Sequence, residues 1–241
     1  MQVELRIRRF NPEVKKKPWW GEYDVKDVAP NDSVLDLLHR VKWTIDGSLT
    51  LRRSCAHGVC GSDAMRINGT NALACKVLIG RLAKEGSEKV KLQVEPILGL
   101  PVVKDLIVDM EPFFEHYRSA LPYFVNDSPA PENARERLQT PENRAKFDDT
   151  TKCILCAACT TSCPSFWANG QYVGPATIVQ AHRFIFDSRD EAFQDRLEVL
   201  DQRYGVWRCR TIFNCTSACP RDIEVTKAIA EVKMALTTGT V

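Results

Sequence analysis

Ten cysteines fall in three groups along 241 residues, and their spacing suits the binding of small iron–sulfur cores. Cys55-x4-Cys60 is followed by Cys75; Cys153-x2-Cys156-x2-Cys159-x3-Cys163-Pro164 stands mid-chain; Cys209-x5-Cys215-x3-Cys219-Pro220 lies near the end. The first spacing is one used for [2Fe–2S] centres, and the unbroken second run ending in proline is one used for [4Fe–4S] centres. Zinc is the rival for any C-x2-C, but it takes four ligands in two separated pairs. A secreted disulfide scaffold would be shorter and would not group thiols this tightly. The chemistry these residues can do is the passage of single electrons through several centres.

Counting ligands assigns the thiols. Where two clusters share one fold, the fourth cysteine of each run ligates the other cluster. Cys153, Cys156 and Cys159 then take Cys219 and complete a four-thiolate [4Fe–4S] site. Cys163 joins the third group, where Ile212 holds the middle ligand position and cannot bind iron. Cys163, Cys209 and Cys215 supply three thiolates, which suits a [3Fe–4S] centre; a [4Fe–4S] centre with an outside ligand is the alternative. Cys55, Cys60 and Cys75 remain for a [2Fe–2S] centre. The spacing C-x4-C-x2-C puts its fourth ligand at Asp63, a harder and less covalent donor than sulfur. The alternative is a solvated loop aspartate, with His57 or water on the iron. Gly58 and Gly61 let backbone N–H groups approach the sulfides.

These loops need a frame, and the flanking sequence supplies it. Val3, Leu5 and Ile7 alternate with polar residues, as do Tyr23 and Val25, predicting an opening hairpin. Ser33 or Asp32 can cap a helix with Leu35, Leu38, Val41 and Ile45 on one face. Segments 64–68 and 73–76 read as short strands around Asn68-Gly69, and Val90, Leu92 and Val94 mark another strand. Residues 1–100 therefore form a small α+β domain. Residues 101–145 are a connecting segment with a helix at 111–120, either packed over both halves or a mobile linker. Residues 146–241 read as a helical domain, with helices at 176–186, 190–202 and 223–236. His39, His116 and His182 read as surface or packing residues. Net charge is +2, from 33 basic and 31 acidic residues, and gives no footprint for a nucleic acid. Apolar stretches such as 97–103 fall far short of the roughly 20 residues that span a bilayer. The opening MQVELRIRRF lacks the apolar core of a signal peptide. Reduced, closely grouped thiols point to a cytoplasmic compartment.

The segments SCAHGVCGSDAMRINGTNALAC (54–75), KCILCAACTTSCPSFW (152–167), GPATIVQAHRFIFDSRD (174–190) and WRCRTIFNCTSACP (207–220) closely resemble the iron–sulfur subunit of succinate dehydrogenase, respiratory complex II. The likeness covers nearly the whole chain. It implies a β-grasp, plant-ferredoxin-like first domain and an all-α, bacterial-ferredoxin-like second domain. Some bacterial members have aspartate at the Asp63 position where others have cysteine. The resemblance also implies a partner flavoprotein whose covalent FAD oxidises succinate. Electrons then reach quinone at a membrane-anchor subunit, which can carry heme, on the cytoplasmic face of the bacterial inner membrane.

Pro164, Ser165, Trp167, Arg210 and Ile212 match positions that line the quinone pocket in that family. Many relatives read S-x-W-W there, and the second Trp hydrogen-bonds the quinone; Ala168 removes that donor here. Many also have histidine where this chain has Arg210, and a guanidinium cannot shuttle protons as imidazole can. The departure points to a different quinone, menaquinone, or to a shifted site. Two rival functions remain open: a quinol:fumarate reductase subunit, and a soluble multi-cluster ferredoxin that works as a free carrier.

Overall fold

A computed structural model describes residues 1–84, 87, 89–129 and 136–240. They divide into two compact units, Met1–Met110 with Ile154–Ser162, and Glu111–Cys153 with Cys163–Val241. Of the connecting segment read from sequence, residues 130–135 lie outside the described ones.

The first unit runs β1 (Gln2–Asn11), β2 (Lys15–Val25), α1 (Val34–Thr44), β3 (Ala64–Ile67), β4 (Thr70–Leu73), α2 (Ile79–Leu82), β5 (Lys89–Glu95), β6 (Val102–Lys104) and β7 (Ile107–Val108). Five strands form one mixed sheet in the order β2-β1-β5-β3-β4; β1 and β5 are parallel, and β6 pairs only with β7. Alternation along β1 sends Val3, Leu5 and Ile7 to the core, where they join Leu35, Leu38 and Val41 of α1. A helix laid across a mixed sheet in this way is the β-grasp arrangement the sequence implied.

Ser33 caps α1 as predicted. Its side chain accepts from Asp36 N–H, and the Asp36 carboxylate accepts from Ser33 N–H in return. The second strand of the later hairpin begins at Thr70 instead of Leu73. Asn68 and Gly69 both have positive φ, 46° and 86°, so Ile67 pairs directly with Thr70 across a two-residue turn. Ala74–Lys76 are thereby left outside the ladder, where Cys75 is free to face the first cysteine loop. Buried Arg9 holds the approach to that loop. It pairs with Asp105 at 2.9 Å, and Asp105 in turn accepts from Thr50 N–H.

The second unit is helical: α3 (Glu111–Ser119), α4 (Pro141–Ala145), α5 (Pro164–Ala168), α6 (Gly174–Ile185), α7 (Phe193–Asp201), α8 (Asn214–Ser217) and α9 (Val225–Thr238). Every residue of α6 except Arg183 is buried, so it is the central helix, and α9 and α7 pack against it. Pro175 sits in its first turn, where its missing N–H leaves no helical bond unmade. His182 is a packing residue. Its Nε2 lies 2.7 Å from Glu231 of α9, and its ring stacks on Phe186. Arg196, fully buried, holds Asp190 and the carbonyls of Leu121 and Tyr123, tying the middle of the connecting segment to α7.

Candidate metal centres

In the first unit, the loop around Cys55 wraps its backbone about sulfur. N–H groups of His57, Val59 and Cys60 donate to Cys55 Sγ at 3.3–3.4 Å. These bonds, that from His57 first, draw the Cys55 thiol pKa down to about 6. The geometry needs Ala56 and Gly58 in the left-handed region, at φ 59° and 82°. Cys60 Sγ accepts from Cys55 N–H at 3.5 Å and lies 3.2 Å from Ser62 Oγ. Burial, then the neighbouring Asp63, pushes the Cys75 thiol up to about 12, while Gly58 N–H opposes.

Asp63 is not a solvated loop residue: it is 2 % exposed, and its carboxylate accepts Cys75 N–H at 2.6 Å. It makes no ion pair among the described residues. A buried carboxylate beside Cys75, with no cation among the described residues to balance it, suits a positively charged metal core. His57 is exposed, with Nδ1 2.7 Å from the Cys55 carbonyl oxygen.

The same unit contains Cys156 and Cys159. Gly61 stands against this second loop so closely that an added Cβ would meet Cys156 Cβ at 2.7 Å and Cys156 Cα at 3.0 Å. Its φ of 69° is a second reason for glycine. Asn71 of β4, itself buried, donates to the Ala158 carbonyl at 3.2 Å and to Thr161 Oγ1 at 2.8 Å, anchoring the loop to the sheet. Leu155 and Ala157 are left-handed, at φ 54° and 63°. Such residues cost of order 1–3 kcal/mol each and gather where a loop must turn its N–H groups inward. Cys153 and Cys219, which the sequence reading groups with them, belong to the second unit.

In the second unit, Cys163, Cys209 and Cys215 line one small pocket. Cys163 leads into α5 and Cys215 sits in α8. Cys209 Sγ accepts Thr211 N–H at 3.4 Å, the bond that His57 makes to Cys55. Thr211 and Phe213, at φ 55° and 68°, turn the chain between Cys209 and Cys215. Burial raises the Cys215 thiol pKa; the other two thiols add to this, and Thr226 opposes it. Pro164, Ser165, Arg210 and Ile212 line the same pocket, whereas Trp167 is outside the lining and half exposed. The pocket thus offers three sulfurs and, at Ile212, hydrocarbon in place of a fourth.

None of the cysteines is in a disulfide, and among the described residues no three such side chains close on a single metal ion. Asn71, Ser62 and Thr226 were missed from the sequence because nothing local marks them.

A mixed-sheet domain and a helical domain that between them carry three groups of cysteines define a two-domain iron–sulfur protein. Residues 4–115 match the model of a 2Fe-2S iron-sulfur cluster binding domain, and residues 145–220 that of a 4Fe-4S dicluster domain. Across 232 residues the chain is 43% identical to the succinate dehydrogenase iron-sulfur subunit of Coxiella burnetii, covering 96% of this chain and 95% of that one. It is 41% identical to the subunit of that name from Paracoccus denitrificans, covering 95% and 86%. A chain of the Mycobacterium smegmatis Sdh1 complex in the apo form shares the fold, with a TM-score of 0.83 at 23% identity over 98% of this chain and 95% of that one. The chain belongs to the family of succinate dehydrogenase iron–sulfur subunits. No helix of the described residues is long and apolar enough to cross a membrane.

Proposed function

We propose that this chain is the electron-carrying subunit of a succinate:quinone oxidoreductase. It would stand between a flavoprotein bearing FAD, where succinate is oxidised, and a membrane anchor where quinone, menaquinone in our reading, is reduced. Iron–sulfur clusters, when bound, take and give one electron at a time, which divides a two-electron flavin oxidation into single steps. Cys55, Cys60, Asp63 and Cys75 would hold [2Fe–2S]; Cys153, Cys156, Cys159 and Cys219 would hold [4Fe–4S]; Cys163, Cys209 and Cys215 would hold [3Fe–4S].

The contact of Gly61 with Cys156 carries this reading. It makes the ligand loops of the first two centres backbone neighbours inside one compact unit. Three residues separate Cys159 from Cys163, so the thiols continue along the chain into the third pocket. The protein's work here is to choose ligands, aim N–H groups at sulfur and bury the sites, which together set the potentials. No acid–base pair is required of it. Ile212 and Phe213, on the wall of the third pocket, are half exposed and suit an apolar anchor on the cytoplasmic face of the membrane.

Arg210 lines that pocket beside Cys209. A guanidinium next to a reduced quinone would stabilise its negative charge by a charge-assisted hydrogen bond of roughly 1.5–3 kcal/mol. In the purified complex, Arg210→Ala should slow succinate–quinone electron transfer. Succinate oxidation with a dye that accepts electrons before the quinone step should survive. Loss of both activities would make Arg210 a support of the cluster or the assembly, and loss of neither would move the quinone elsewhere.

A further inference from the structure

Thr226, in the first turn of α9, lines the pocket of Cys163, Cys209 and Cys215. Its Oγ1 lies 3.6 Å from Cys215 Sγ and 2.8 Å from Thr216 Oγ1, and its own N–H donates to Thr216 Oγ1 at 3.0 Å. Cys215 and Thr226 are each 7 % exposed, so water is a weak competitor for these bonds. Thr226 N–H is one of the four that begin a helix without a helical acceptor. Glu224, the capping residue, makes no side-chain cap bond, and Thr216 takes over that task.

The protons on this chain of contacts have one arrangement when Cys215 is a metal-bound thiolate. A thiolate has no proton to give, and each hydroxyl has one. Thr226 N–H occupies an acceptor site on Thr216 Oγ1. Thr216 O–H then points to Thr226 Oγ1, and Thr226 O–H points to sulfur. The reverse order would set a hydroxyl lone pair against a thiolate in a buried pocket.

We infer that Thr226 is a positioning residue of the terminal centre, whose hydroxyl donates to the Cys215 thiolate and raises the reduction potential of the cluster that thiolate holds. The inference rests on Cys163, Cys209 and Cys215 being the [3Fe–4S] ligands. Reduction adds negative charge that the ligand sulfurs share, so a donor at sulfur favours the reduced state. Cys209 has its donor from the backbone, at Thr211 N–H, which no side-chain replacement removes. At Cys215 a side-chain donor joins the backbone N–H of Thr216, and the side chain's contribution can be altered without altering a ligand.

The test is an EPR-monitored redox titration of the intact complex carrying Thr226→Val or Thr226→Ser. In Thr226→Val, which keeps the shape and loses the hydroxyl, the [3Fe–4S] signal should persist with a lower midpoint potential. Thr226→Ser should titrate close to the unsubstituted protein; a purely structural role would not separate the two in this way. An unshifted midpoint in cluster-loaded Thr226→Val overturns the inference. Absence of a [3Fe–4S] signal from the unsubstituted complex overturns the ligand assignment instead. If Thr226→Val does not load its cluster, Thr216→Val takes its place, because it leaves the hydroxyl but removes the donor that orients it. A lowered midpoint is expected there too, and an unchanged one overturns the inference.

Discussion

The loop of Cys55 in the first unit and the pocket of Cys215 in the second prepare sulfur for iron by opposite means. Cys55 lies on a loop, receives three backbone N–H groups and has its thiol pKa drawn down to about 6, so near neutral pH it is largely thiolate. Cys215 is buried in a helix, its thiol pKa is raised, and a hydroxyl joins the Thr216 backbone N–H as donor near its sulfur. The Cys55 sulfur is electrostatically ready before metal arrives. The pocket depends on the metal itself to displace the proton. Side-chain replacement should therefore reach the pocket's electronic properties readily. In the loop it should act mainly through the ligands and the backbone turn.

Asp63→Ala is expected to have the largest effect, because it removes a proposed ligand outright from the site of Cys55. The [2Fe–2S] signal should vanish or fall severely, while Asp63→Cys should keep the cluster with an altered spectrum and potential, sulfur being the softer donor. A wild-type [2Fe–2S] signal in Asp63→Ala would assign the ligand elsewhere. Ile212→Cys changes the other side of the comparison by giving the pocket a fourth thiolate. At least part of its three-iron centre should become [4Fe–4S], read as loss of the oxidised EPR signal at unchanged protein fold. Full retention of that signal in a cluster-loaded variant would remove Ile212 from the vacant position. Gly61→Ala should have the smallest effect of the three. Its Cβ would crowd Cys156 in a left-handed backbone, a strain of about 1–3 kcal/mol. A lower melting temperature and reduced iron content are expected; unchanged values for both would mean that the two loops yield without cost.

The thiol groups were readable in the sequence because ligand spacing is a local property of the chain. The β1–β2 hairpin and the Ser33 cap were readable for the same reason: alternation and capping act over a few residues. Asp63 was singled out by spacing alone, but its burial was not legible, since that depends on how Cys75 returns from β4. Asn71 was invisible because its partner Thr161 is 90 residues away. The left-handed turns at Ala56, Leu155 and Thr211 were equally hidden, because those residue types do not advertise a positive φ. Gly61 was singled out for its N–H, yet its structural necessity is the approach of Cys156. What remained hidden was therefore long-range contact and backbone handedness, and both bear on how the cysteine loops are held.

Low-temperature EPR of the purified complex, first as oxidised and then reduced with succinate or dithionite, tests the central claim of three centres ending in a three-thiolate site. The oxidised sample should give the near-isotropic signal of [3Fe–4S], and reduction should remove it while a [2Fe–2S] signal appears. An iron- and sulfide-loaded complex that is EPR-silent when oxidised, or a colourless chain without acid-labile sulfide, would contradict the account.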